Sequence, residues 1–199
     1  MKRVILARHA ESEFSVRGAM NGDPATTCPL TDAGREQAEL LAEALRDEPI
    51  DLCVTTEFAR TKETADLALA GRDVPRVVIS ELNDIRVGEF EGGALETYRA
   101  WARDRSPVAV PPGGGESRAQ AAERYARGFR LVLERREEAI LVVTHGLPIR
   151  YLLLAAEGSG PRPVVENVEY ATPYRLSRVD LEHAVEALEL WAGAPAWPK

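Results

Sequence analysis

Apolar residues fall along this chain in short unbroken runs separated by stretches of helical spacing. Val4-Ile5-Leu6, Leu52-Cys53-Val54, Val77-Val78-Ile79 and Ile140-Leu141-Val142-Val143 are apolar at successive rather than alternate positions. Neighbouring side chains of a strand point to opposite faces, so such runs predict strands covered on both sides, as in a parallel sheet. A fifth stretch, Tyr174 to Val179, alternates more and follows Pro173, which predicts an edge or antiparallel strand.

Helical patterns lie between these runs. Thr31 can cap a helix to about Arg46, with Ala38, Leu41, Ala42 and Leu45 on one face. Phe58 to Leu69, Glu116 to Arg136 and Leu147 to Ala156 also read as helices, Pro148 being tolerable in a first turn. Strands alternating with helices predict an α/β fold, a three-layer α/β/α sandwich whose sheet is mostly parallel with one antiparallel edge strand. The expected organisation is one domain over residues 1–199. Residues 85–115 form a short lid or insertion in it, and the end at Pro195, Trp197 and Pro198 reads as a frayed tail.

Composition narrows the class. With 199 residues, 45% apolar and 29% charged, the chain has the mix of an ordinary globular domain rather than a disordered one. The 25 basic and 32 acidic residues leave a net charge of −7, which argues against a nucleic-acid partner. No apolar stretch approaches the roughly 18 residues of a membrane span. Lys2 and Arg3 precede only the short run Val4 to Ala7, too little for a signal peptide. Two cysteines, Cys28 and Cys53, make no disulfide framework and fit a reducing, cytoplasmic setting. Oligomeric state leaves no readable trace.

The chemistry gathers where strands end. Arg8-His9 follows the first run and Thr144-His145-Gly146 the fourth, so two of three histidines reach the crevice beyond the strands' carboxyl ends. Arg60 opens a helix after the second run and Asp84 follows the third. Arginine forks suit phosphate oxygens. A neutral imidazole can attack phosphorus, and a carboxylic acid can protonate the leaving alkoxide and then activate water. No His, Cys or acid spacing matches a metal site, so neither metal nor cofactor is expected. The remaining histidine, His183, lies in a charged C-terminal segment and should face solvent.

Leu6-Ala7-Arg8-His9-Ala10-Glu11-Ser12 resembles the signature of the histidine phosphatase superfamily, which includes the cofactor-dependent phosphoglycerate mutases. The resemblance continues through Pro29-Leu30-Thr31, Gly34, Gln37-Ala38, Arg60-Thr61, Glu63-Thr64-Ala65, Leu82 to Gly92, Gly115-Glu116-Ser117 and Val142 to Gly146, in the family's order. It implies a phosphoglycerate-mutase-like fold and a small phosphorylated substrate. By the same resemblance His9 becomes phosphorylated, Arg8, Arg60 and His145 clamp the phosphoryl oxygens, Asp84 is the proton donor, and Ser12 and Gly146 line the substrate pocket.

Two positions depart from the pattern. Ala10 stands where glycine is usual and would be strained if its φ were positive. Asp84 is one methylene shorter than the commoner glutamate, and Glu81 or Glu89 could stand in for it. The mutases resembled carry a longer insertion between the acid and the Glu-Ser segment than Ile85 to Gly115, which favours a phosphatase over a mutase. A mutase, or a phosphate-binding regulatory module with little turnover, stays open at this point. Arg86, Arg99, Arg103 and Arg105 lie in this segment with Tyr98 and Trp101, and Tyr98, Trp101 and Arg105 have the spacing of an amphipathic lid helix. Gly113-Gly114-Gly115 lacks the ending of a P-loop and reads as a flexible turn.

Overall fold

The computed structural model describes residues 1–198. Its elements alternate: β1 (Arg3–Arg8), α1 (Glu13–Val16), α2 (Asp32–Ala44), β2 (Leu52–Thr55), α3 (Ala59–Ala68), β3 (Arg76–Val78), α4 (Leu95–Arg103), α5 (Arg118–Leu133), β4 (Ala139–Thr144), α6 (Gly146–Ala156), β5 (Pro173–Ser177) and α7 (Arg178–Gly193). The strands form one sheet in the order β3-β2-β4-β1-β5. The first four are mutually parallel and β5 runs antiparallel to β1.

The apolar runs of β1, β2 and β4 are unbroken because each of these strands feeds two cores. Val4, Leu6, Val54, Ile140 and Val142 point into a cluster with Phe129, Leu152 and Leu188 of α5, α6 and α7. Ile5, Ala7, Cys53, Leu141 and Val143 point the other way, against Ala38, Leu41 and Ala65 of α2 and α3. Helices on both faces of the sheet make the three layers.

Most predicted elements form within a few residues. The Thr31 cap is present, its Oγ1 accepting from Gly34 N at 2.9 Å. α5 starts behind a reciprocal box in which Ser117 Oγ accepts from Gln120 N and Gln120 Oε1 accepts from Ser117 N. Three expectations change. The run Val77–Ile79 is not sandwiched: β3 is the far edge of the sheet, and Arg76 and Val78 are exposed while Ile79 is buried. The last strand stops at Ser177, which caps α7 through Asp180. That charged segment is a helix because Leu181, Ala184, Val185 and Leu188 recur at helical spacing and bury against α5 and α6.

The end of the described chain is also ordered rather than frayed. Trp197 packs on Trp191 with ring centroids 5.6 Å apart, and its Nε1 donates to Arg105 O at 2.7 Å. Gly113 and Gly114 make a tight turn with φ of +75° and +86°. Gly115 seats this turn against the segment after Asp84, since a Cβ there would come within 2.5 Å of Arg86 O. His183 is exposed, as its charged surroundings predicted. Among the described residues no helix is long and apolar enough to cross a membrane.

Candidate active site

Parallel pairing sets the two histidines side by side. β1 and β4 are hydrogen-bonded neighbours with Arg8 opposite Thr144, so His9 and His145 leave the sheet together. His9 N donates to Thr144 O at 2.8 Å, and the imidazole centroids lie 5.3 Å apart. Both are buried. Arg60, on the first turn of α3, reaches between them: Nε donates to His9 Nε2 and Nη2 to His145 Nδ1, each at 3.2 Å.

These contacts assign the tautomers. His9 Nδ1 lies 2.8 Å from Ala10 O, a pure acceptor, so Nδ1 carries the proton and Nε2 presents a lone pair. His145 Nδ1 faces Arg60, a pure donor, so its proton is on Nε2, 3.1 Å from Thr56 Oγ1. Thr56 passes a hydrogen bond to Thr61 Oγ1 at 2.9 Å, and Thr61 ends the chain on Phe58 O at 2.9 Å. Burial, then the guanidinium charge of Arg60, hold both imidazoles well below their ordinary pKa of 6.5, and His9 is pushed further by Arg8. Both are therefore neutral at pH 7.

Asp84 closes the ring, with Oδ2 3.5 Å from Arg60 Nη2 and 3.6 Å from His145 Nδ1. Arg8 stands at the rim, its Nη1 donating to Val168 O at 2.8 Å and its guanidinium 3.9 Å above the Tyr170 ring. A cavity of about 260 Å³ opens over this group, lined also by Ser12, Gly146, Tyr98 and the 163–168 segment. Its floor offers a lone pair, two guanidinium groups and a carboxylate to anything placed between them.

A family model for the histidine phosphatase superfamily, branch 1, matches residues 4–193. The chain belongs to the histidine phosphatase superfamily. It is 38% identical over 120 residues to an adenosylcobalamin/α-ribazole phosphatase of Salmonella typhimurium, a match covering 56% of this chain and 58% of that protein. It is 29% identical to a 2,3-bisphosphoglycerate-dependent phosphoglycerate mutase of a Methylobacterium over 96% of this chain and 88% of that one. The crystal structure of the α-ribazole phosphatase from Shigella flexneri superposes with a TM-score of 0.75 at 29% identity, covering 87% of this chain and 89% of the other.

Within this histidine phosphatase framework the doubtful positions resolve geometrically. Ala10 is fully buried and not among the residues with positive φ, so its methyl group packs in the core without strain, and its N–H donates to Thr64 Oγ1 at 3.0 Å. Asp84 lines the cavity, whereas Glu81 and Glu89 do not. Ser12 lies at the mouth, its Oγ 2.9 Å from Ser15 Oγ at the start of α1. Gly146 begins α6 beside Arg8, where a Cβ would make only ordinary contact at 3.5 Å. Arg105 lies beyond α4 and is exposed, so only Tyr98 and Trp101 of the expected helical stripe pack inward.

Three contributors escaped the sequence reading. Asn21 accepts from Arg60 Nη1 through its side chain and from Nη2 through its carbonyl at 3.1 Å, setting the guanidinium plane. Arg124 grips Glu116 with Nε and Nη2, both at 2.7 Å, and donates to the carbonyls of Glu81, Asn83 and Asp84 at 2.8, 2.9 and 3.1 Å. It thereby holds the turn that carries Asp84. Tyr170 roofs Arg8. Nothing local marks these residues, because each acts across a long sequence separation.

Proposed function

We propose that the protein hydrolyses small phosphomonoesters without a metal, through a phosphohistidine at His9. The observation that carries this reading is the unprotonated Nε2 of His9, held against the Arg60 guanidinium in a cavity that Asp84 also lines, with His145 fully buried behind Arg60. Arg8 and Arg60 would hold the phosphoryl oxygens, His145 would join them by taking up a proton at Nδ1 as the phosphoryl charge arrives, and Ser12 and Gly146 would line the approach. His9 Nε2 forms the P–N bond as the P–O bond to the alkoxide breaks, and Asp84 gives that alkoxide its proton. Water then attacks phosphorus, Asp84 takes the water's proton, the P–N bond breaks and orthophosphate leaves. The incoming phosphate dianion competes with Asp84 for Arg60 and so frees the carboxyl to face the leaving oxygen.

The relatives' activities on small phosphorylated molecules support this reading, as does the reducing, cytoplasmic setting suggested by two cysteines outside any disulfide. The likeness to a phosphoglycerate mutase across 96% of the chain favours a second reading, in which a sugar-acid hydroxyl replaces water as acceptor. The test is phosphate release from p-nitrophenyl phosphate with chelator present, for wild type and His9→Ala. Turnover by wild type and a loss of at least about 10⁴-fold in the variant is expected. Absence of wild-type release, with rapid phosphoglycerate interconversion once primed by bisphosphoglycerate, would establish the mutase instead.

A further inference from the structure

Arg118, on the first turn of α5, is a buried cation whose surroundings do not balance it. It is 9% exposed and lines the same cavity as His9. Of the other arginines near the site, buried Arg60 faces the carboxylate of Asp84 and half-buried Arg124 that of Glu116, while half-buried Arg8 shares with Arg118 an unpartnered Nε. Arg118 pairs with no carboxylate among the described residues: it meets only Pro163 O, 3.5 Å from Nη2, and the neutral hydroxyls of Tyr98 and Tyr151, and its Nε is sealed from solvent without a partner.

What surrounds it is phenolic. The Tyr98 ring lies 5.2 Å from the guanidinium carbon, and Tyr125 is buried nearby with its own hydroxyl unpartnered. Burial pulls the Arg118 pKa down, but Tyr151, Tyr98 and Tyr125 outweigh it and the net direction is up, so the guanidinium stays charged. A guanidinium has five donors, and burying it so sparsely partnered costs stability that an apolar side chain of similar size would not. Packing against Tyr98 alone does not account for a charge here. A ligand oxyanion entering the cavity does, since a planar fork matches a carboxylate.

We infer that Arg118 is a specificity residue of the leaving-group half of the cavity, receiving a carboxylate carried by the phosphomonoester substrate. The inference rests on the phosphatase reading and adds the substrate class to it. The phosphoryl group sits among Arg8, His9 and Arg60, and the carboxylate end lies towards α5 and the 163–168 wall.

The experiment compares 3-phosphoglycerate with glycerol 3-phosphate, which share the ester and differ at the carboxylate. Wild type is expected to favour the carboxylated ester at least tenfold in kcat/KM, mainly through KM. Arg118→Met is expected to lose at least tenfold more on the carboxylated ester than on the other, with Arg118→Lys between. Dissociation constants of both esters measured on His9→Ala, with and without Arg118→Met, read the same preference without turnover, so a failed phosphatase reading leaves this test intact. Equal wild-type affinity for the two esters, or an Arg118→Met loss falling equally on both, overturns the inference.

Discussion

The floor and the wall of the cavity are built differently. On the floor, every ring nitrogen of His9 and His145 has a partner, and Arg60 spends its donors on two histidines, Asn21 and Asp84. The wall is α4 and the 163–168 segment, held by side chains that cap its carbonyls: Arg8 on Val168, Arg150 on Glu166 and Asn167, Arg118 on Pro163. A saturated network fixes geometry for one chemical group, whereas a wall with a sparsely partnered charge has capacity left for a ligand. On the proposed function the floor would serve the phosphoryl group and the wall whatever that group is attached to.

The sharpest way to break this division is at the acid that touches both halves. Asp84→Asn is expected to lower kcat about 10²–10⁴-fold on an alkyl phosphate and much less on p-nitrophenyl phosphate, whose leaving group needs no proton. Equal losses on the two esters in steady-state assays would remove Asp84 from the donor role.

Next comes the scaffold under the floor. Arg124→Met leaves the buried Glu116 carboxylate only Arg86, through its N–H at 3.1 Å and its guanidinium at 3.6 Å, so it is expected to cost up to about 3 kcal/mol in urea unfolding and to lower kcat by loosening the Asp84 turn. Adding Glu116→Leu should return part of the stability but not the activity, because the carbonyls of Glu81, Asn83 and Asp84 remain uncapped. Recovery of both would mean that Arg124 acts through Glu116 alone.

The histidine pair gives a smaller, pH-dependent signature. Both folded pKa values lie well below 6.5, so the unfolded chain takes up protons first as pH falls. Their contribution is complete above pH 6.5 and declines below it towards the folded values, by up to about 1.4 kcal/mol per pH unit for each histidine. His9→Ala should remove one proton's worth of that slope in urea midpoints measured from pH 5 to 7. In wild type, the acid limb of kcat/KM should fall well below pH 6.5.

The mildest test concerns the wall. Ala171 has φ of +46°, a left-handed conformation unusual for alanine, just after Tyr170 covers Arg8. Ala171→Gly is expected to change stability by no more than about 1 kcal/mol in the favourable direction, a small rise in melting temperature. A marked loss of activity would show that this backbone restraint tunes Tyr170 and Arg8.

Much of this was legible in the one-dimensional pattern. Compact runs followed by Arg8-His9 and Thr144-His145 imply a parallel sheet with histidines at adjoining strand ends, since both signals are local. The C-terminal helix was hidden because its apolar positions, Leu181, Ala184, Val185 and Leu188, are diluted by charge on the exposed faces. The edge position of β3 was hidden because Val77-Val78-Ile79 has the composition of a buried strand, and only the order of strands reveals that no neighbour covers it.

The chain's own periodicities and strand-end residues determined the three layers, which residues gather on the floor and the family. Tertiary structure decided that Ala10 is unstrained, that Asp84 rather than Glu81 or Glu89 faces Arg60, and that Arg118 meets no carboxylate among the described residues. Those outcomes turn on backbone dihedrals, on which carbonyls Arg124 gathers and on a cavity enclosed by segments far apart in sequence. Each is a property of distances between elements, which spacing along a chain does not encode.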